Sequence, residues 1–350
     1  MTGALRIGER TVGPGRPAWI VAELSGNHGG ELARAEQLVR EAAAAGADAV
    51  KIQTYRADSL TIDSDAPPFR IRMAGAWDGR LLYDLYREAA LPWEWTAPLK
   101  ALADELGITF FSSPFDAQAV ELLEGLRVPV YKIASFELVD TPLIERVAAT
   151  GKPIVLSTGM ASREDIADAL AAARGVDPDA ELALLKCTSA YPAPPERLNL
   201  RTIADMAATF DVPIGLSDHT VGLVAPVAAV TLGACIVEKH LCLKRADGGP
   251  DAHFSLEPDE FARMVQNVRE AEASLGTVRY GEDEAESRAY RRSLFVVEPV
   301  GAGEAFTAAN VRSIRPADGL PPKELHRVLG RRAARDVPRG TPLAWDLVQR

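Results

Sequence analysis

Short apolar runs alternate with longer segments of helical period from about residue 17 to residue 275. Each run is apolar at nearly every position, which is the pattern of a parallel strand covered by helices on both faces of its sheet. The predicted strands are 18–24, 49–53, 108–113, 129–135, 153–158, 182–189, 212–218 and 234–240. The segments between them predict helices, several of which start at Asp or Ser and end at Gly. The predicted helices are 31–45, 96–106, 116–125, 141–149, 163–174, 200–209, 221–232 and 257–275.

Eight strand–helix units in about 260 residues predict a closed (β/α)8 barrel, because that fold usually takes about 250 residues. An open, doubly wound sheet is the alternative. The sequence does not support an open sheet that binds a dinucleotide, since no Gly-x-Gly-x-x-Gly motif follows the first predicted strand. The stretch 55–95, which contains Trp77, Trp93 and Trp95, is an insertion after the second strand and is expected to overhang the mouth of the barrel.

The C-terminal part of the chain has a different pattern. A barrel domain is predicted for residues 1–280, a charged linker for 281–292, and a small domain with short β-like runs and glycine turns for 293–350. The small domain carries a weak internal repeat at identical offsets of 3, 6 and 11 residues, which predicts two copies of one element, with coincidence as the alternative. The repeated positions are Val300, Gly303, Phe306 and Val311, and then Val337, Gly340, Leu343 and Val348.

Charge and composition narrow the class of protein. The chain has 39 Lys and Arg against 49 Asp and Glu, which gives a net charge of −10. Because a protein that binds a phosphate backbone needs a basic face, no nucleic acid partner is expected. No apolar run approaches the roughly 20 residues that cross a bilayer, and the first residues lack the apolar stretch of a secretory signal. We therefore expect a soluble, cytoplasmic protein with no membrane partner. The three cysteines form no Cys-x-x-Cys pair and are expected to be reduced.

Lysine is informative because the chain contains only eight. Active sites of such barrels lie at the carboxyl ends of the strands, and polar residues collect there on nearly every run. Lys51, Lys132 and Lys186 each lie inside an apolar run, where an ammonium group is costly unless an anion pairs with it. Three lysines in one lumen would bind a phosphate and a carboxylate. The alternative is three unrelated ion pairs with neighbouring Glu or Asp.

Two of the five histidines end adjacent strands. His219 and His240 are therefore predicted to point into one mouth, with Glu23 at the end of the first strand. Two neutral imidazoles with a carboxylate and waters suit Mn²⁺, Zn²⁺ or Fe²⁺. The alternative for each histidine is a hydrogen-bonded core residue, which is the commoner role of a single histidine.

Two further patterns carry less information. Cys235-x4-His240-x-Cys242 has the composition of a zinc site, but a buried cysteine usually packs as a small hydrophobe, so this interpretation is not favoured. Asp247 and Asp251 lie in the glycine-rich loop after the eighth strand, where they would assist a metal, hold a sugar hydroxyl or form a solvated turn.

The segments around these residues resemble the sialic acid synthase family, whose members condense phosphoenolpyruvate with an amino sugar. The similar segments follow one another in order over nearly the whole chain. They are AELSGNHGG, DAVKIQTY, FFSSPFD, VYKIASFEL, LSTGM, LLKCTSAYPAPPE, IGLSDHT, VEKH, GGPDAHFSLEP and IRPADGL. The resemblance implies a (β/α)8 TIM barrel followed by a small antifreeze-like SAF domain. It also implies a domain-swapped homodimer in which that domain covers the partner's active site.

The resemblance implies roles for individual residues. His219 and His240 would hold a divalent metal, Mn²⁺ by preference, with Mg²⁺ or Co²⁺ as alternatives, and would form the catalytic set together with Glu23 and Glu137. The implied phosphoenolpyruvate-binding residues are Lys51, Ser113, Lys132, Ser135, Ser157, Ser189 and Ser217, with Lys186 as a compensating contact. Ser113 and Ser189 stand where N-acetylneuraminate synthases have Thr and Asn. The implied sugar-binding residues are Gln53, Tyr191, Asp251 and, from the SAF domain, Arg315.

Within the family, the chain is most similar to the pseudaminic acid synthase branch, on the segments SGNH, LYDLYREAALPWEW, ASFELVD, LLKCTSAYPAPPE and FSLEP. The implied acceptor is 2,4-diacetamido-2,4,6-trideoxy-L-altrose, whose 6-methyl and second N-acetyl groups require a roomier, less polar end of the pocket. The Trp-rich insertion is expected to supply that end. In the implied reaction a metal would polarise the aldehyde, and C3 of phosphoenolpyruvate would attack it. A water would then add at C2, delivered and deprotonated either by a second role of the metal or by a carboxylate such as Glu23 or Glu137.

Three other functions stay open on the sequence. Inside the family, the chain would be an N-acetylneuraminate or N,N'-diacetyllegionaminate synthase. A Schiff-base aldolase barrel would also place a lysine in a strand. A non-enzymatic carbohydrate- or ice-binding tail on an inert barrel would not need polar groups at eight strand ends.

Overall fold

Eight parallel strands close into a barrel in the computed structural model, which describes residues 3–72, 77–281 and 284–349. Residues 73–76 of the predicted insertion and 282–283 of the predicted linker lie outside the described residues. In chain order the strands are β1 (Leu5–Ile7), β2 (Arg10–Val12), β3 (Trp19–Glu23), β4 (Ala49–Thr54), β5 (Thr109–Pro114), β6 (Tyr131–Ile133), β7 (Ile154–Ser157), β8 (Leu182–Cys187), β9 (Ile214–Asp218), β10 (Ile236–His240), β11 (Ser293–Val296) and β12 (Val311–Ile314). Strands β3 to β10 pair in sequence, and β10 pairs with β3 to close the ring. The predicted (β/α)8 barrel is confirmed, and the open sheet is excluded.

The helices follow the strands as the periodicity predicts. They are α1 (Leu32–Ala44), α2 (Ala57–Leu60), α3 (Leu82–Ala89), α4 (Thr96–Glu105), α5 (Ala117–Gly125), α6 (Thr141–Ala148), α7 (Arg163–Val176), α8 (Thr202–Phe210), α9 (Val224–Thr231), α10 (Pro258–Leu275), α11 (Ala285–Arg288) and α12 (Leu325–Val328). The predicted start signals act as N-caps: the carboxylate of Asp116 accepts from the amide of Ala119 at 2.7 Å, and Ser162 forms a capping box with Asp165. Among the described residues, no helix is both long enough and apolar enough to cross a bilayer.

Alternation along each strand separates two apolar layers. Ile20, Val50 and Phe110 point outward and pack against the helices, while their neighbours Val21 and Ala49 point into the barrel. Nearer the carboxyl ends of the strands, the inward positions change from apolar to polar. The same alternation that fills the lower barrel with hydrophobic side chains therefore directs polar side chains into its mouth.

A hairpin that the sequence patterns did not predict closes the other end of the barrel. Strands β1 and β2 pair antiparallel, and Leu5, Ile7 and Val12 are at most 2% exposed. They pack with the first inward residues of the barrel strands, among them Trp19 and Ala49. The hairpin thus covers apolar side chains at the amino ends of the strands.

Residues 277–350 form a second compact unit, and residues 1–276 form the first. The second unit has its own apolar core, which contains Val300, Phe306, Val337 and Leu343. Its internal repeat is structural, because Val300 and Val337, the equivalent positions of the two copies, exchange both backbone hydrogen bonds at 3.0 and 2.8 Å. Such mutual pairing of equivalent positions is the signature of two copies related by a local two-fold axis.

Candidate active site

A cavity of about 310 Å³ occupies the mouth of the barrel at the carboxyl ends of its strands. Polar and ionisable side chains form its floor, and apolar side chains from the insertion form its outer wall. The predicted site residues that line it are Lys51, Gln53, Lys132, Ser135, Glu137, Ser157, Tyr191, Ser217, His219, His240 and Asp251. Most of the predicted site residues of the barrel therefore come together around one volume.

Glu238 is the centre of the cavity floor. One of its oxygens, Oε1, accepts from Lys51 Nζ at 3.2 Å, from Lys132 Nζ at 3.3 Å and from Ser217 Oγ at 3.1 Å. Burial would raise the pKa of this carboxyl, but the two ammonium groups outweigh it and hold the pKa far below its usual range. Glu238 is therefore a fixed carboxylate. The sequence assigned it no role, because glutamate in an apolar strand is not by itself a motif.

Glu23 and Ser113 lie just below this floor and support Lys51. Glu23 is fully buried, and its Oε2 lies 3.0 Å from Lys51 Nζ while its Oε1 accepts from Gln53 Nε2 at 3.0 Å. Ser113 Oγ accepts from the same ammonium at 3.5 Å. Burial raises the pKa of Glu23 despite its ion pair with Lys51. Because two carboxylates offset the two lysines, the floor is close to neutral before any anion enters.

Three serines and one glycine form a small cradle beside the lysines. The amide of Gly159 donates to Ser135 Oγ at 3.1 Å, and a Cβ on Gly159 would lie only 2.1 Å from Ser189 Oγ. Ser157 Oγ is buried and has no hydrogen-bond partner within the described ranges. An unpaired buried hydroxyl is costly unless a ligand completes its bonding. The cradle therefore has the chemistry of an anion site.

Lys186 does not join the other two lysines, so the prediction of a three-lysine lumen is wrong. On β8, Ala183 and Leu185 point into the barrel, and alternation turns Lys186 outward. Its Nζ donates to the carbonyl of Cys187 at 2.6 Å and to Thr188 Oγ1 at 3.3 Å. Cys187 lines the cavity in its place. Strict period-two alternation from Leu185 would have identified Cys187 from the sequence.

The two predicted metal-binding imidazoles lie together in the cavity. The rings of His219 and His240 are 5.3 Å apart between centroids. His219 Nδ1 lies 3.1 Å from the carbonyl of Thr188, which can only accept, so Nδ1 carries a proton and Nε2 remains for a ligand. Burial lowers the pKa of His240 well below its ordinary value, which keeps its ring neutral.

These histidines fit a catalytic metal better than a structural one. Across the described parts of the chain, no cluster of three or more His, Cys, Asp or Glu side chains is arranged to hold a metal. His240 Nδ1 is buried and has no partner among the described residues. A pair of imidazoles with an unpartnered nitrogen would supply part of a coordination shell and leave the remaining positions to substrate oxygens and water.

The cysteine-containing zinc motif is not assembled. Cys235 and Cys242 are both buried, and burial raises the pKa of each thiol to about 12, which disfavours the thiolate that zinc requires. The earlier interpretation of these cysteines as packed hydrophobes agrees with this environment.

Glu137 differs from the other carboxylates of the cavity. It follows β6, and its Oε2 is buried without a hydrogen-bond partner in the described structure. Burial raises its pKa to about 7, even though Lys132 lowers it. A carboxyl that titrates near neutrality and faces a cavity is suited to moving a proton.

The outer wall of the cavity is apolar and comes largely from the insertion. Helix α3 contributes Leu82, Leu85, Tyr86 and Ala89, which share one helical face, and the described part of the insertion adds further apolar side chains. The remaining large apolar or aromatic residues of the wall are Tyr55, Leu60, Ile71, Trp77, Phe115 and Phe136. The sequence predicted that the insertion covers the mouth but not that α3 forms its inner face.

Tyr191 and Asp251 lie between the histidines and this wall. The ring of Tyr191 is 4.5 Å from that of His219 and 5.2 Å from that of Trp77, between centroids. Asp251 accepts a hydrogen bond from Ser25 Oγ, and burial raises the pKa of its carboxyl. Both residues therefore face the region between the ionic floor and the apolar wall. Arg315, the remaining predicted residue, follows β12 in the second unit.

Comparisons with known proteins agree with this architecture. A model of the NeuB family matches residues 38–280, and a model of the SAF domain matches residues 291–349, which confirms the predicted SAF domain. The chain is 42% identical to the pseudaminic acid synthase of Helicobacter pylori over 96% of this chain and 99% of that protein. It is 33% identical to the N,N'-diacetyllegionaminic acid synthase of Legionella pneumophila over 96% of each. The crystal structure of N-acetylneuraminic acid (sialic acid) synthetase from Leptospira borgpetersenii, 30% identical, superposes with a TM-score of 0.73 over 82% of this chain and 97% of that one.

Proposed function

Because this chain belongs to the NeuB family, we propose that it is a pseudaminic acid synthase, a transferase that joins phosphoenolpyruvate to 2,4-diacetamido-2,4,6-trideoxy-L-altrose and water and releases phosphate. The resemblance seen in the sequence motifs is confirmed by these matches. The observation that carries the proposal is the composition of one cavity, in which two lysines and a serine cradle face two imidazoles beneath an apolar wall. The lysines and the serine cradle suit an anionic donor, and the imidazoles suit a metal that polarises an aldehyde. The apolar wall suits an N-acetylated, deoxygenated sugar.

The floor of the cavity supports phosphoenolpyruvate binding. Lys51 and Lys132 would contact its carboxylate and phosphate. Ser113 accepts a hydrogen bond from Lys51, and Ser217 donates one to Glu238, so both side chains are held in place. The remaining contacts would come from the cradle, formed by Ser135, Ser157, Ser189 and the amide of Gly159. Lys186 is not part of this proposal, because its side chain points away from the cavity.

The charge of the floor also supports a divalent cation. Glu23 and Glu238 already offset the two lysines, so a substrate with both a carboxylate and a phosphate requires further positive charge. His219 and His240 would hold that cation, for which Mn²⁺ is the expected ion, with Mg²⁺ or Co²⁺ as alternatives. A cation held there supplies Lewis-acid polarisation of the acceptor's aldehyde oxygen.

The protein's own groups would then direct the bond changes. C3 of phosphoenolpyruvate forms a bond to the aldehyde carbon of the acceptor, the aldehyde oxygen takes a proton, and water adds to C2. Breaking the bond between C2 and the phosphate oxygen releases phosphate and leaves a nine-carbon 2-keto acid. Glu137 is the favoured base for the water, because its pKa of about 7 lets it accept a proton near neutral pH, whereas Glu23 is held by Lys51 and Gln53.

The apolar wall supports the choice of acceptor. The methyl group at C6 and the acetyl methyl groups of a 2,4-diacetamido-6-deoxy sugar need apolar contacts, which Leu82, Leu85 and Phe136 offer. Gln53, Tyr191 and Asp251 would bind the polar groups of the same sugar. The higher identity to the Helicobacter pylori enzyme than to the Legionella pneumophila enzyme, 42% against 33%, favours the same acceptor over the legionaminic alternative.

A domain-swapped homodimer would complete the site. Phe136, Met160 and Val221, on the loops after β6, β7 and β9, are 59%, 64% and 49% exposed, and exposed apolar residues around a mouth indicate a surface that is covered in the assembly. We propose that the partner's SAF domain covers it and brings Arg315 to the acyl group of the sugar. The enzyme would act in the cytoplasm, where its donor substrate is formed.

Product analysis tests this function directly. Purified protein with Mn²⁺ and phosphoenolpyruvate is offered a panel of 2-acetamido and 2,4-diacetamido hexoses, and products are identified by mass spectrometry while phosphate release is measured. We expect turnover with 2,4-diacetamido-2,4,6-trideoxy-L-altrose, and oxygen-18 placed at the bridging position of phosphoenolpyruvate should leave with the phosphate. Preferred turnover of another acceptor would contradict the proposed specificity, and trapping of pyruvate on Lys132 by borohydride would indicate a Schiff-base aldolase instead.

Variants of the two histidines test the metal site. His219→Ala and His240→Ala are each expected to abolish metal-stimulated phosphate release, while His326→Ala, which alters an exposed histidine of the second unit, should leave the rate unchanged. Full wild-type activity after thorough EDTA treatment would exclude the metal role.

A further inference from the structure

An ion pair lies directly behind the two histidines, on the outer side of the strands that carry them. Asp218, the last residue of β9, precedes His219, and Lys239 precedes His240 on β10. Asp218 and Lys239 are register partners across the two strands. Their side chains are fully buried, and Lys239 Nζ lies 2.6 Å from Asp218 Oδ2. Because successive side chains of a strand point to opposite faces, each strand end has one inward imidazole and one outward charged side chain. The two outward side chains form an ion pair.

The same pair also fixes the turn that leaves β9. Lys239 Nζ donates to the carbonyl of Thr220, to Thr220 Oγ1 at 3.2 Å and to the carbonyl of Gly222 at 3.4 Å. Asp218 accepts from the amide of Thr220 at 2.9 Å and from its hydroxyl at 3.0 Å. His219 thus stands between two residues, Asp218 and Thr220, whose positions one ammonium group determines.

Stability alone does not explain this arrangement. Removing two charges completely from water costs several kcal/mol per ion, and a well-packed apolar pair of similar volume is often as stable as a buried ion pair or more so. Apart from the polar groups of the turn, the packing beside the pair is apolar. Leu216 and Val237, two residues earlier on the same outward face, both belong to the hydrophobic layer under the helices. What an apolar pair would not supply is a fixed distance and direction between the two strand ends.

We propose that Asp218 and Lys239 are positioning residues that hold His219 and His240 at the separation needed to bind one divalent cation. The inference rests on the proposed metal site. Through Asp218 the pair sets the backbone on which His219 stands, and through Lys239 it sets that of His240. Replacing residues that orient metal ligands from outside the coordination shell typically changes metal affinity by about 10- to 100-fold.

The test measures metal affinity rather than turnover. Mn²⁺ binding to the full-length protein is titrated by electron paramagnetic resonance of the free ion, and the visible spectrum of the Co²⁺ form reports ligand geometry. For Asp218→Asn and Lys239→Met we expect the Kd for Mn²⁺ to rise about 10- to 100-fold, with a shifted Co²⁺ spectrum. The Kd for phosphoenolpyruvate without metal should stay unchanged, because Lys51 and Lys132 do not contact the pair.

A matched control separates position from stability. Asp48→Asn makes the same substitution in another ion pair, at the opposite end of the barrel, where Asp48 Oδ2 lies 2.9 Å from an Arg269 guanidinium nitrogen. It should lower stability without changing the Kd for Mn²⁺. In the double variant Asp218→Asn/Lys239→Met, stability should recover while metal affinity stays low, and recovery of both would overturn the inference.

The outcomes also separate this inference from the proposed function. If the wild type binds Mn²⁺ in a way that His219→Ala abolishes, but Asp218→Asn and Lys239→Met bind it equally well, the inference alone is wrong. If the wild type shows no such binding, the metal site itself is wrong and the inference falls with it. If either pair variant fails to fold, Thr220→Val serves instead, because it removes only the hydroxyl that Asp218 and Lys239 share. We expect it to raise the Kd for Mn²⁺ several-fold, and an unchanged Kd would overturn the positioning role.

Discussion

Glu137 combines a position in the cavity with a pKa suited to proton transfer. Burial raises that pKa to about 7 from an ordinary value of 4.5. The carboxylate needed to accept a proton from water therefore forms as the pH rises through 7, and kcat/KM for the acceptor is expected to increase about tenfold per pH unit below this value. For Glu137→Gln we expect a loss of about 100-fold or more, with this limb of the pH–rate profile absent.

The stability of the same variant provides the control. In the wild type, Glu137 keeps its proton up to about pH 7 in the folded state, whereas in the unfolded chain it loses the proton near pH 4.5. Because the folded state binds the extra proton, its stability falls as the pH rises between these two values. Glutamine carries no charge, so Glu137→Gln should be at least as stable as the wild type at pH 8 by thermal unfolding. A variant that loses activity and stability together, or that keeps the low-pH limb, would contradict a role as base.

Single residues show how far sequence reasoning reaches in this site. Motif similarity identified most of the polar residues of the cavity, both those that end a strand, such as Ser157, and those in the segment after one, such as Tyr191 and Asp251. Composition failed at Lys186, where the rarity of lysine favoured the lysine although the alternation of Leu185 and its neighbours favours Cys187. The sequence also assigned no role to Glu238, since the role of that carboxylate arises only where three strands bring Lys51 and Lys132 to it.

At the level of elements, the barrel was predictable because strand and helix periodicities differ and both are strong here. All eight barrel strands and the eight helices predicted between and after them are present, with ends that differ by a few residues. Short elements were not predictable in the same way. Strands β1 and β2 have three residues each, too few to establish a period, and their stability comes from packing on the barrel rather than from local propensity.

The hairpin formed by β1 and β2 should therefore contribute to stability and not to catalysis. Leu5 is 1% exposed and packs on the inward residues at the amino ends of the barrel strands, opposite to the cavity. Leu5→Ala is expected to lower the free energy of unfolding by about 2–5 kcal/mol, measured by urea denaturation, and to leave KM for phosphoenolpyruvate unchanged. Thr11→Ala, at an exposed position of β2, should change stability by less than about 0.5 kcal/mol. Equal effects of both changes would show that the hairpin does not close the core.

At the scale of the whole molecule, the chain consists of two units with separate apolar cores and different numbers of internal repeats. The barrel is built from eight repeated units, whereas the second unit is built from two, as the reciprocal pairing of Val300 and Val337 shows. That repeat was visible in the sequence because each copy places Val and Gly at the same offsets. Whether one chain's second unit serves its own barrel or its partner's is a property of the assembly, and no local sequence pattern encodes it.

Mixing two inactive variants tests the domain-swapped dimer. His240→Ala is expected to disable the barrel site and leave the SAF domain intact, while Arg315→Ala is expected to remove the contribution of the SAF domain and leave the barrel intact. If each site combines one chain's barrel with the partner's SAF domain, a mixed dimer contains one fully intact site. Random reassociation makes half of the dimers mixed, so activity should return to about a quarter of the wild-type value. Mixtures that stay at the sum of the two variants' residual rates, although subunit exchange is verified by native mass spectrometry, would show that each SAF domain serves its own barrel.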